Sequence, residues 1–344
     1  MGPAARPHPT NPSWAPIAGP RYQPGRPLHR ADLHLHSSYS YDVLDLPALR
    51  PRALYERARL AGMGYFTLTD HETIRGVLAL RQELRQELGS ELPIPVINGV
   101  EIKINDPRVG HIVHVNVLGL EPPQLGDLAR RRRNLDRFLG YCRAQRLYHA
   151  YNHPFWFEAG QRADVATVAR LIEEFPVVEL NAGRIPQLNH RTAELARRAD
   201  AQLVAASDSH TGRVGRAYTL APGNTPEEFL GNVIAGNSIV VPKNTSLNEF
   251  CSEVQDVLDL IFSSGAAFRI KRTFLRRNRI ARSLVRATLG SDRIMRRGLA
   301  QRTVRGLLEL LSYPAATLFI LQQRRMDLRL AESPPASTTE RWAA

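Results

Sequence analysis

Short apolar runs alternate with amphipathic segments along the chain from about residue 30 to residue 242. The run RADLHLHS precedes LPALRPRALYERARLAGM, whose apolar residues recur at helical spacing, and YFTLTDH precedes TIRGVLALRQELRQELG. Strands that are separated by helices of this length are typical of βαβ units, which form a parallel sheet. About seven such strands can be distinguished, and this number favours a closed or nearly closed barrel over a small open sheet.

Polar residues recur where the apolar runs end. Two runs carry potential metal ligands at positions i and i+2, His34 with His36 and Asp208 with His210, so the side chains of each pair point to the same face of a strand. Buried imidazoles need polar partners, and a metal ion would provide one. In a βα barrel the carboxyl ends of the strands meet on one face, so we expect these groups to share a pocket. The strand-end residues are His34, His36, Asp70, His71, Glu101, His114, His153, Glu179, Asp208 and His210.

The positive charge of the chain is concentrated near its C-terminus. The net charge is +13, and residues 269–305 contain 13 Lys or Arg against one acid, Asp292, a net of +12. The apolar stretch Leu307–Leu321 contains Glu309 and Pro314, and so is too short and too broken to span a bilayer. The pattern fits peripheral contact of residues 269–321 with an anionic membrane, or helices that pack on the barrel with a solvated basic face. Nucleic acid is less favoured as a partner because aromatic residues are scarce there.

Three regions follow from these patterns. Residues 1–28 have prolines every few positions and no apolar signal-peptide core, so we expect a disordered Pro-rich leader. Residues 29–242 form the predicted barrel, and residues 243–344 form a basic helical extension. The two cysteines lie far apart and suggest no disulfide framework. We therefore expect a cytoplasmic protein, or one that is peripheral on the inner face of the membrane.

Six short motifs carry a family resemblance. DLHLHSSYSYD, LTDHE, GVEI, HVNVLG, NHP and SDSHTG occur in this order within residues 30–242. Together they resemble the PHP (polymerase and histidinol phosphatase) superfamily of metal-dependent phosphoesterases. The resemblance implies an α/β fold, a distorted seven-stranded (β/α) barrel, here with a helical basic C-terminal extension. It also implies two to three divalent metal ions (Mn, Zn or Fe) and hydrolysis of a small phosphorylated substrate such as a nucleotide or sugar phosphate.

The resemblance also divides nine side chains among three ions, with Glu101 bridging two of them. The first ion would be held by His34, His36, Glu101 and Asp208. The second would be held by Glu101, His114 and His153. The third would be held by Asp42, His71 and His210.

Two positions depart from the family pattern. Tyr41 stands between the hydroxyl run and Asp42, where the family usually reads Ser-Asp. The HVNVLG region holds two histidines, and we select His114 because it lies five residues before Gly119; His111 would face away or line the rim.

Two further acids have less defined expectations. Glu179 is either a pocket residue or a partner that holds a ligand imidazole. Asp70, beside His71, is expected to turn away as an anchor at the end of its strand.

The implied mechanism uses a metal-activated water, since metal coordination lowers the pKa of water toward neutrality. Glu101, Asp208 and His153 are the candidate catalytic residues, and either His153 or a metal-bound water would protonate the leaving oxygen. Lys103 and Arg184, together with Arg213, are candidate phosphate ligands, although a solvated surface position is the simpler interpretation of each.

An alternative of another class is a metal-binding regulatory or membrane-surface module with little or no turnover. The complete ligand set favours the enzyme. Among enzymes, the sequence leaves a histidinol phosphatase, a nuclease, and a nucleotide or sugar phosphatase open.

Overall fold

The computed structural model describes residues 15–89, 92–158, 161, 165–263 and 298–332, together with Ser283 and Ala287. The first half of the predicted leader and most of the basic segment lie outside the described residues. The predicted disorder of residues 1–14 and the predicted basic helix therefore stay predictions there, whereas Ile17–Ala18, also within the predicted leader, form a strand that pairs with Ile239–Val241.

The elements follow the predicted alternation through most of the chain. The strands are β1 Ile17–Ala18, β2 His29–Ala31, β3 Phe66–Leu68, β4 Val96–Ile104, β5 Val113–Leu118, β6 Tyr148–Tyr151, β7 Val177–Asn181, β8 Gln202–Ala206, β9 Tyr218–Ala221 and β10 Ile239–Val241. The α-helices are α1 Pro51–Leu60, α2 Arg75–Leu88, α3 Pro122–Arg131, α4 Leu135–Ala144, α5 Val165–Glu174, α6 Pro186–Arg198, α7 Pro226–Ile234, α8 Leu247–Ser263 and α9 Gly298–Glu332. A 3₁₀ turn, Pro47–Leu49, precedes α1.

The main sheet has six strands in the order β3-β4-β5-β6-β7-β8 and curls into a half-barrel. β4 is antiparallel to β5, and β5 to β6, whereas the other neighbours are parallel. The predicted α/β class and PHP-like layout are present, but a seven-stranded barrel is not confirmed. β5 alone runs against its neighbours, because a short connection without a helix turns the chain back from β4, whereas α3 and α4 return it to the original direction at β6.

The stretch that holds the first two histidines lies between the two edges of this sheet. Leu35 forms an isolated parallel bridge with Ser209 after β8, and its carbonyl accepts a hydrogen bond from the backbone N–H of Thr69 after β3 at 2.8 Å. The N–H of His36 donates to the carbonyl of Ser209 at 3.1 Å. This stretch is expected to be the first strand of the barrel. The strand β2 ends at Ala31, however, and it pairs with β9 in a separate four-stranded sheet of order β1-β10-β9-β2.

One predicted helix is divided in two. The sequence predicts one long helix over roughly residues 124–147, but α3 ends at Arg131 and α4 begins at Leu135. The side chain of Asn134 accepts a hydrogen bond from the N–H of Arg137, and Asp106 accepts one from the N–H of Leu135 at 2.9 Å. These caps satisfy the free amides of α4 and so fix a new helix start.

The C-terminal helices pack on the rest of the fold. Buried residues Leu258, Ile261 and Phe262 of α8 share an apolar cluster with residues that precede α1, namely Val43, Leu46 and Leu49. α9 packs along α8. Asp327 of α9 also forms an ion pair with Arg191 of α6, with Nε to Oδ1 at 2.5 Å. The described part of the extension is therefore helical and docked.

The prediction that Pro314 breaks the apolar stretch is wrong, since α9 runs through it for 35 residues. An interior proline removes one hydrogen bond of the ladder and crowds the carbonyl four residues earlier, at a cost of about 3 kcal/mol, but the helical turns on both sides continue here. By length and composition, Gln301–Leu330 could cross a membrane, with a mean hydropathy of 1.4 over 18 residues. A single helix that passes this test is weak evidence for a membrane span.

Candidate metal centre

The first predicted ligand group comes together in the structure. The Nε2 atoms of His34 and His36 lie 3.1 Å apart. Each lies 3.4 Å from Oε2 of Glu101 and 3.3 Å from Oδ1 of Asp208. An ion bound at about 2.0–2.2 Å holds neighbouring ligand atoms about 3.0–3.5 Å apart. These four side chains therefore have the spacing that one divalent ion requires.

Glu101 lies at the junction of the candidate ligand groups. Its Oε1 is 3.0 Å from Nδ1 of His114 and 3.2 Å from Nε2 of His153, and it accepts a hydrogen bond from Nδ2 of Asn152 at 3.0 Å. Its Oε2, which faces the first group, also lies 2.9 Å from Nδ1 of His71. A buried carboxylate whose two oxygens face different imidazoles has the geometry of a bridging ligand.

The third group forms around Asp42. Its Oδ2 lies 3.0 Å from Nε2 of His71 and 3.1 Å from Nε2 of His210. The additional residue of the motif, Tyr41, stacks on the ring of His71 with centroids 4.8 Å apart. His36 also comes close enough to join this group. The one-residue shift therefore still brings Asp42 to the cluster.

Glu179 holds two of the candidate ligands in place. Its Oε1 accepts a hydrogen bond from Nδ1 of His34 at 2.7 Å. Its Oε2 accepts from the backbone N–H of His153 at 2.8 Å and from Nδ2 of Asn181 at 3.1 Å. Both carboxylate oxygens are thus engaged, which corresponds to the second of the two expected roles, a partner that orients a ligand imidazole.

Asp70 has a similar supporting contact with the preceding loop. Its carboxylate accepts hydrogen bonds from the backbone N–H of Ser37 at 2.6 Å and from its hydroxyl at 2.8 Å. The side chain therefore points away from the cluster, as expected, and fixes the turn after His36.

Several buried atoms of the cluster have no hydrogen-bond partner in the part of the chain that the structure describes. They are Nδ1 of His36, Nδ1 of His71, Oε2 of Glu101 and Nε2 of His114. The atoms of His71 and Glu101 face each other without hydrogen-bond geometry. Buried polar groups without partners are costly, and coordination of a cation by nitrogen and oxygen would satisfy such atoms. The residues therefore fit divalent metal ions.

The charges of the cluster also favour cations. Burial opposes ionisation of Glu101, but the charges of His71 and His34 outweigh it and hold its pKa well below the usual range. Burial likewise opposes the charged form of His71, yet Glu101 and Asp42 raise its pKa to about 9. For His114 burial dominates and lowers the pKa to about 4. The carboxylates thus stay negative and attract positive charge.

The backbone is strained beside this cluster. Among the described residues at or near the candidate ligands, four that are not glycine have positive φ angles, namely 58° at Glu72, 30° at His153, 71° at Phe155 and 50° at Asp208. L-residues adopt this region at a cost, and such strain concentrates at functional sites. The turns after β6 and β8 therefore hold His153 and Asp208 in fixed positions.

A cavity of about 1590 Å³ opens beside the cluster and is lined by all nine candidate ligands except the fully buried His34 and His36. Arg184 also lines it and is buried, with its guanidinium 4.6 Å from the ring centroid of Trp156. Burial lowers the pKa of Arg184 to about 10. Among the described residues it forms no ion pair, so its charge is available to a ligand.

The other two candidate phosphate ligands already have partners. Nζ of Lys103 lies at the cavity wall, 2.8 Å from Oε1 of Glu158. Nε of Arg213 pairs with Asp256 at 2.6 Å and Nη2 donates to Ser252 at 2.8 Å, and this residue does not line the cavity. Arg213 therefore joins the loop after β8 to α8.

Several residues at the site were not anticipated. Asn152 and Asn181 donate hydrogen bonds to Glu101 and Glu179. Both stand within the NHP and VELNAG stretches, so their position beside ligand residues was the available signal. His111, which is expected to face away or line the rim, packs its ring against that of Phe157, with the ring centroids 4.9 Å apart. No feature of the sequence indicates that residues of α8 and α9 line the cavity, because apolar residues at helical spacing do not reveal what that helix face packs against.

The half-barrel sheet and its edge of clustered imidazoles and carboxylates define an α/β protein with a candidate metal centre. The chain belongs to the PHP domain family, which it matches over residues 32–228. It is 33% identical over 92 residues to the phosphoribosyl 1,2-cyclic phosphate 1,2-diphosphodiesterase of Eggerthella lenta, which covers 26% of this chain and 30% of that protein. It is 29% identical over 140 residues to the 5'-3' exoribonuclease Rnm of Salmonella typhimurium, which covers 40% of this chain and 45% of that protein.

The chain thus matches less than half the length of either relative. Among solved structures it resembles PsfC from Pseudomonas syringae, with a TM-score of 0.47 and 18% identity over 64% of this chain and 93% of that one.

Proposed function

We propose that the protein is a metal-dependent hydrolase of phosphate esters that uses a metal-activated water at a site of two to three divalent ions (Mn, Zn or Fe). The observation that carries this proposal is the position of Glu101, whose two oxygens face separate sets of imidazoles at 2.9–3.4 Å. Family membership and the named activities of the two curated relatives, a phosphodiesterase and an exoribonuclease, support it.

The nine candidate ligands would hold the ions in three overlapping groups. When bound, divalent ions here would lower the pKa of coordinated water and neutralise negative charge on the phosphoryl oxygens. Glu101 and Asp208 hold the negative charge that retains the cations, and both pKa values lie well below the usual range because histidines outweigh their burial.

His153 is the proposed proton donor to the leaving oxygen. As a proton donor it would not also coordinate an ion through the same nitrogen, since a coordinated imidazole nitrogen carries no proton; its Nε2 lies 3.2 Å from Oε1 of Glu101, and its side chain lines the cavity. The hydrogen bond from its backbone N–H to Glu179 fixes the residue without occupying the ring. General acid catalysis of this kind contributes about 10²–10⁴-fold in rate.

Arg184 is the proposed partner of the substrate phosphate. It lines the cavity and forms no ion pair among the described residues, and a guanidinium can donate two parallel hydrogen bonds to phosphate oxygens. Lys103 is a weaker candidate because Glu158 already neutralises it.

A panel of phosphate esters tests the proposal. Full-length protein loaded with manganese should release phosphate or alcohol from at least one monoester or diester, and an Asp208→Asn variant should lose most of that activity. If no ester is hydrolysed with Mn, Zn or Fe, the alternative of a metal-binding regulatory module with little or no turnover is favoured.

A second candidate role, contact with an anionic membrane surface, rests on the exposed side of α9. Several large apolar side chains of this helix are more than 40% exposed, namely Leu299, Leu307, Leu310, Leu311, Tyr313, Leu318, Leu321 and Leu328. The sequence places a net charge of +12 in the adjoining residues 269–305. Basic residues beside exposed apolar ones favour peripheral attachment at the inner face of the membrane. In this proposal the metal centre remains cytoplasmic.

A further inference from the structure

The cavity beside the metal centre has one wall that the PHP domain itself does not provide. Six apolar side chains from α8 and α9 form this wall, and both helices follow the residues that match the family. They are Phe250, Val254, Val257, Leu258, Phe319 and Met326. The two helices meet where the rings of Phe250 and Phe319 lie 5.1 Å apart. The volume of about 1590 Å³ exceeds the roughly 300–1,000 Å³ of ordinary small-molecule sites.

Of the three polar side chains that α8 and α9 contribute to the cavity, Glu253 and Gln323 are hydrogen-bonded to the PHP domain, and the third is Gln322. Both oxygens of Glu253 accept hydrogen bonds, from Thr211 at 2.9 Å and from Arg216 at 3.2 Å. The side-chain amide of Gln323 donates to Gly183 at 3.1 Å and accepts from Ile185 at 3.0 Å. A polar substrate group would therefore find Glu253 and Gln323 occupied, whereas the apolar side chains of the wall other than Leu258 are only partly buried and still have surface to cover.

Arg184 lies at the junction between the wall and the metal centre. Its guanidinium lies 4.6 Å from the ring centroid of Trp156 and 5.9 Å from that of Phe319. On the other side, it lines the same cavity as the candidate ligands Asp208 and His153. A phosphate that is held between the cluster and Arg184 would thus direct its organic group along Phe319 and α8.

We propose that the substrate is a phosphate ester of a long or bulky hydrocarbon group, which the wall of α8 and α9 binds while the phosphate lies at the metal centre. This inference rests on the proposed function for its phosphate end. The C-terminal extension then determines specificity, because a chain that consisted of the PHP domain alone would leave this side of the cavity open.

Binding of alkyl phosphonates, which are not hydrolysed, tests the wall separately from turnover. Isothermal titration of the full-length manganese-loaded protein would use methyl, butyl and octyl phosphonate below micelle-forming concentrations. Each added methylene should tighten binding about two- to fourfold until the wall is covered. Equal affinities along the series, or tighter binding of ribose 5-phosphate than of octyl phosphonate, would overturn the inference.

Variants of similar size locate the effect on the wall. Val254→Thr and Met326→Gln place polar groups in it and should each lower the octyl-to-methyl affinity ratio at least threefold. Leu321→Gln changes the exposed side of α9 and should leave that ratio as in the parent protein. An unchanged ratio in both wall variants would contradict the inference. Hydrolysis of polar esters with no dependence on chain length would retain the proposed function and remove this one.

Discussion

Glu179 accepts a hydrogen bond from Nδ1 of His34 at 2.7 Å, and this contact determines which ring nitrogen of His34 points to the cluster. With the proton on Nδ1, the lone pair of Nε2 points toward His36, Glu101 and Asp208. Carboxylates that hold ligand histidines in this way fix both the tautomer and the ring orientation. Because the other oxygen of Glu179 accepts from the backbone of His153, one side chain aligns ligands from two distant parts of the chain.

Replacement of Glu179 by Gln should therefore weaken metal binding about 10- to 100-fold while the protein stays folded. A glutamine amide can accept from only one of the two N–H groups and would present its own N–H to the other. Titration of the metal-free protein with Mn²⁺ or Zn²⁺ measures this change. Glu174→Gln, at the exposed end of α5, serves as the control. An affinity equal to that of the parent protein would show that Glu179 does not orient His34.

Replacement of Glu101 by Gln should remove more than one ion per chain. Its two oxygens face different groups of imidazoles, so loss of the charge affects both groups at once. Elemental analysis after reconstitution and removal of free metal gives the stoichiometry, with the exposed Glu227→Gln on α7 as the matched variant. Loss of a single ion would disprove the bridging role, and a parent stoichiometry well below one would contradict the metal centre itself.

Replacement of Arg184 by Met should raise KM for a phosphate ester about 10- to 100-fold, because a charge-assisted hydrogen bond contributes about 1.5–3 kcal/mol. Methionine retains the apolar contacts with Trp156 and Phe319. Steady-state kinetics on the best ester of the panel gives the value. Lys243→Met, which removes an ion pair with Glu249 away from the cavity, should leave KM unchanged. If KM is unchanged in Arg184→Met, the metal ions bind the substrate phosphate without Arg184.

Replacement of Phe262 by Ala should lower the free energy of unfolding by about 3–5 kcal/mol, as for other buried aromatic residues. This side chain of α8 is 5% exposed and packs in the cluster that contains Leu46 and Leu49. Urea denaturation measures the change, and Leu247→Ala, which is 38% exposed on the same helix, should cost much less. Equal effects of the two variants would indicate that α8 does not share the core, and that the proposed domain of residues 29–242 is stable without it.

Attachment to anionic vesicles should fall as salt increases. Each Lys or Arg near the surface contributes on the order of 1 kcal/mol, and screening acts over roughly 8–10 Å at physiological ionic strength. Sedimentation with anionic and neutral vesicles at low and high salt separates this attraction from insertion of the exposed leucines of α9. If the protein stays in the supernatant under all four conditions, the extension does not bind membranes and its role is to pack against the rest of the fold.

The sequence determined the alternation of strands and helices and predicted which histidines and carboxylates come together in the cluster. His34 and His36 could be paired because residues two apart on an extended chain share a face, whatever the chain packs against. His153 and Asp208 follow the carboxyl ends of β6 and β8, where the edge of a sheet collects residues from distant positions, whereas Glu101 lies within β4. These regularities are local, so the sequence alone reveals them.

Only the tertiary structure decided how these residues support each other. The choice between the two roles of Glu179 depended on its distances to His34 and His153, which lie 145 and 26 residues away in the sequence. The wall that α8 and α9 add to the cavity depended on packing between Phe250 and Phe319. An apolar helix face predicts burial but not a partner, because the hydrophobic effect has no direction, and the fold alone brought that face to the metal centre.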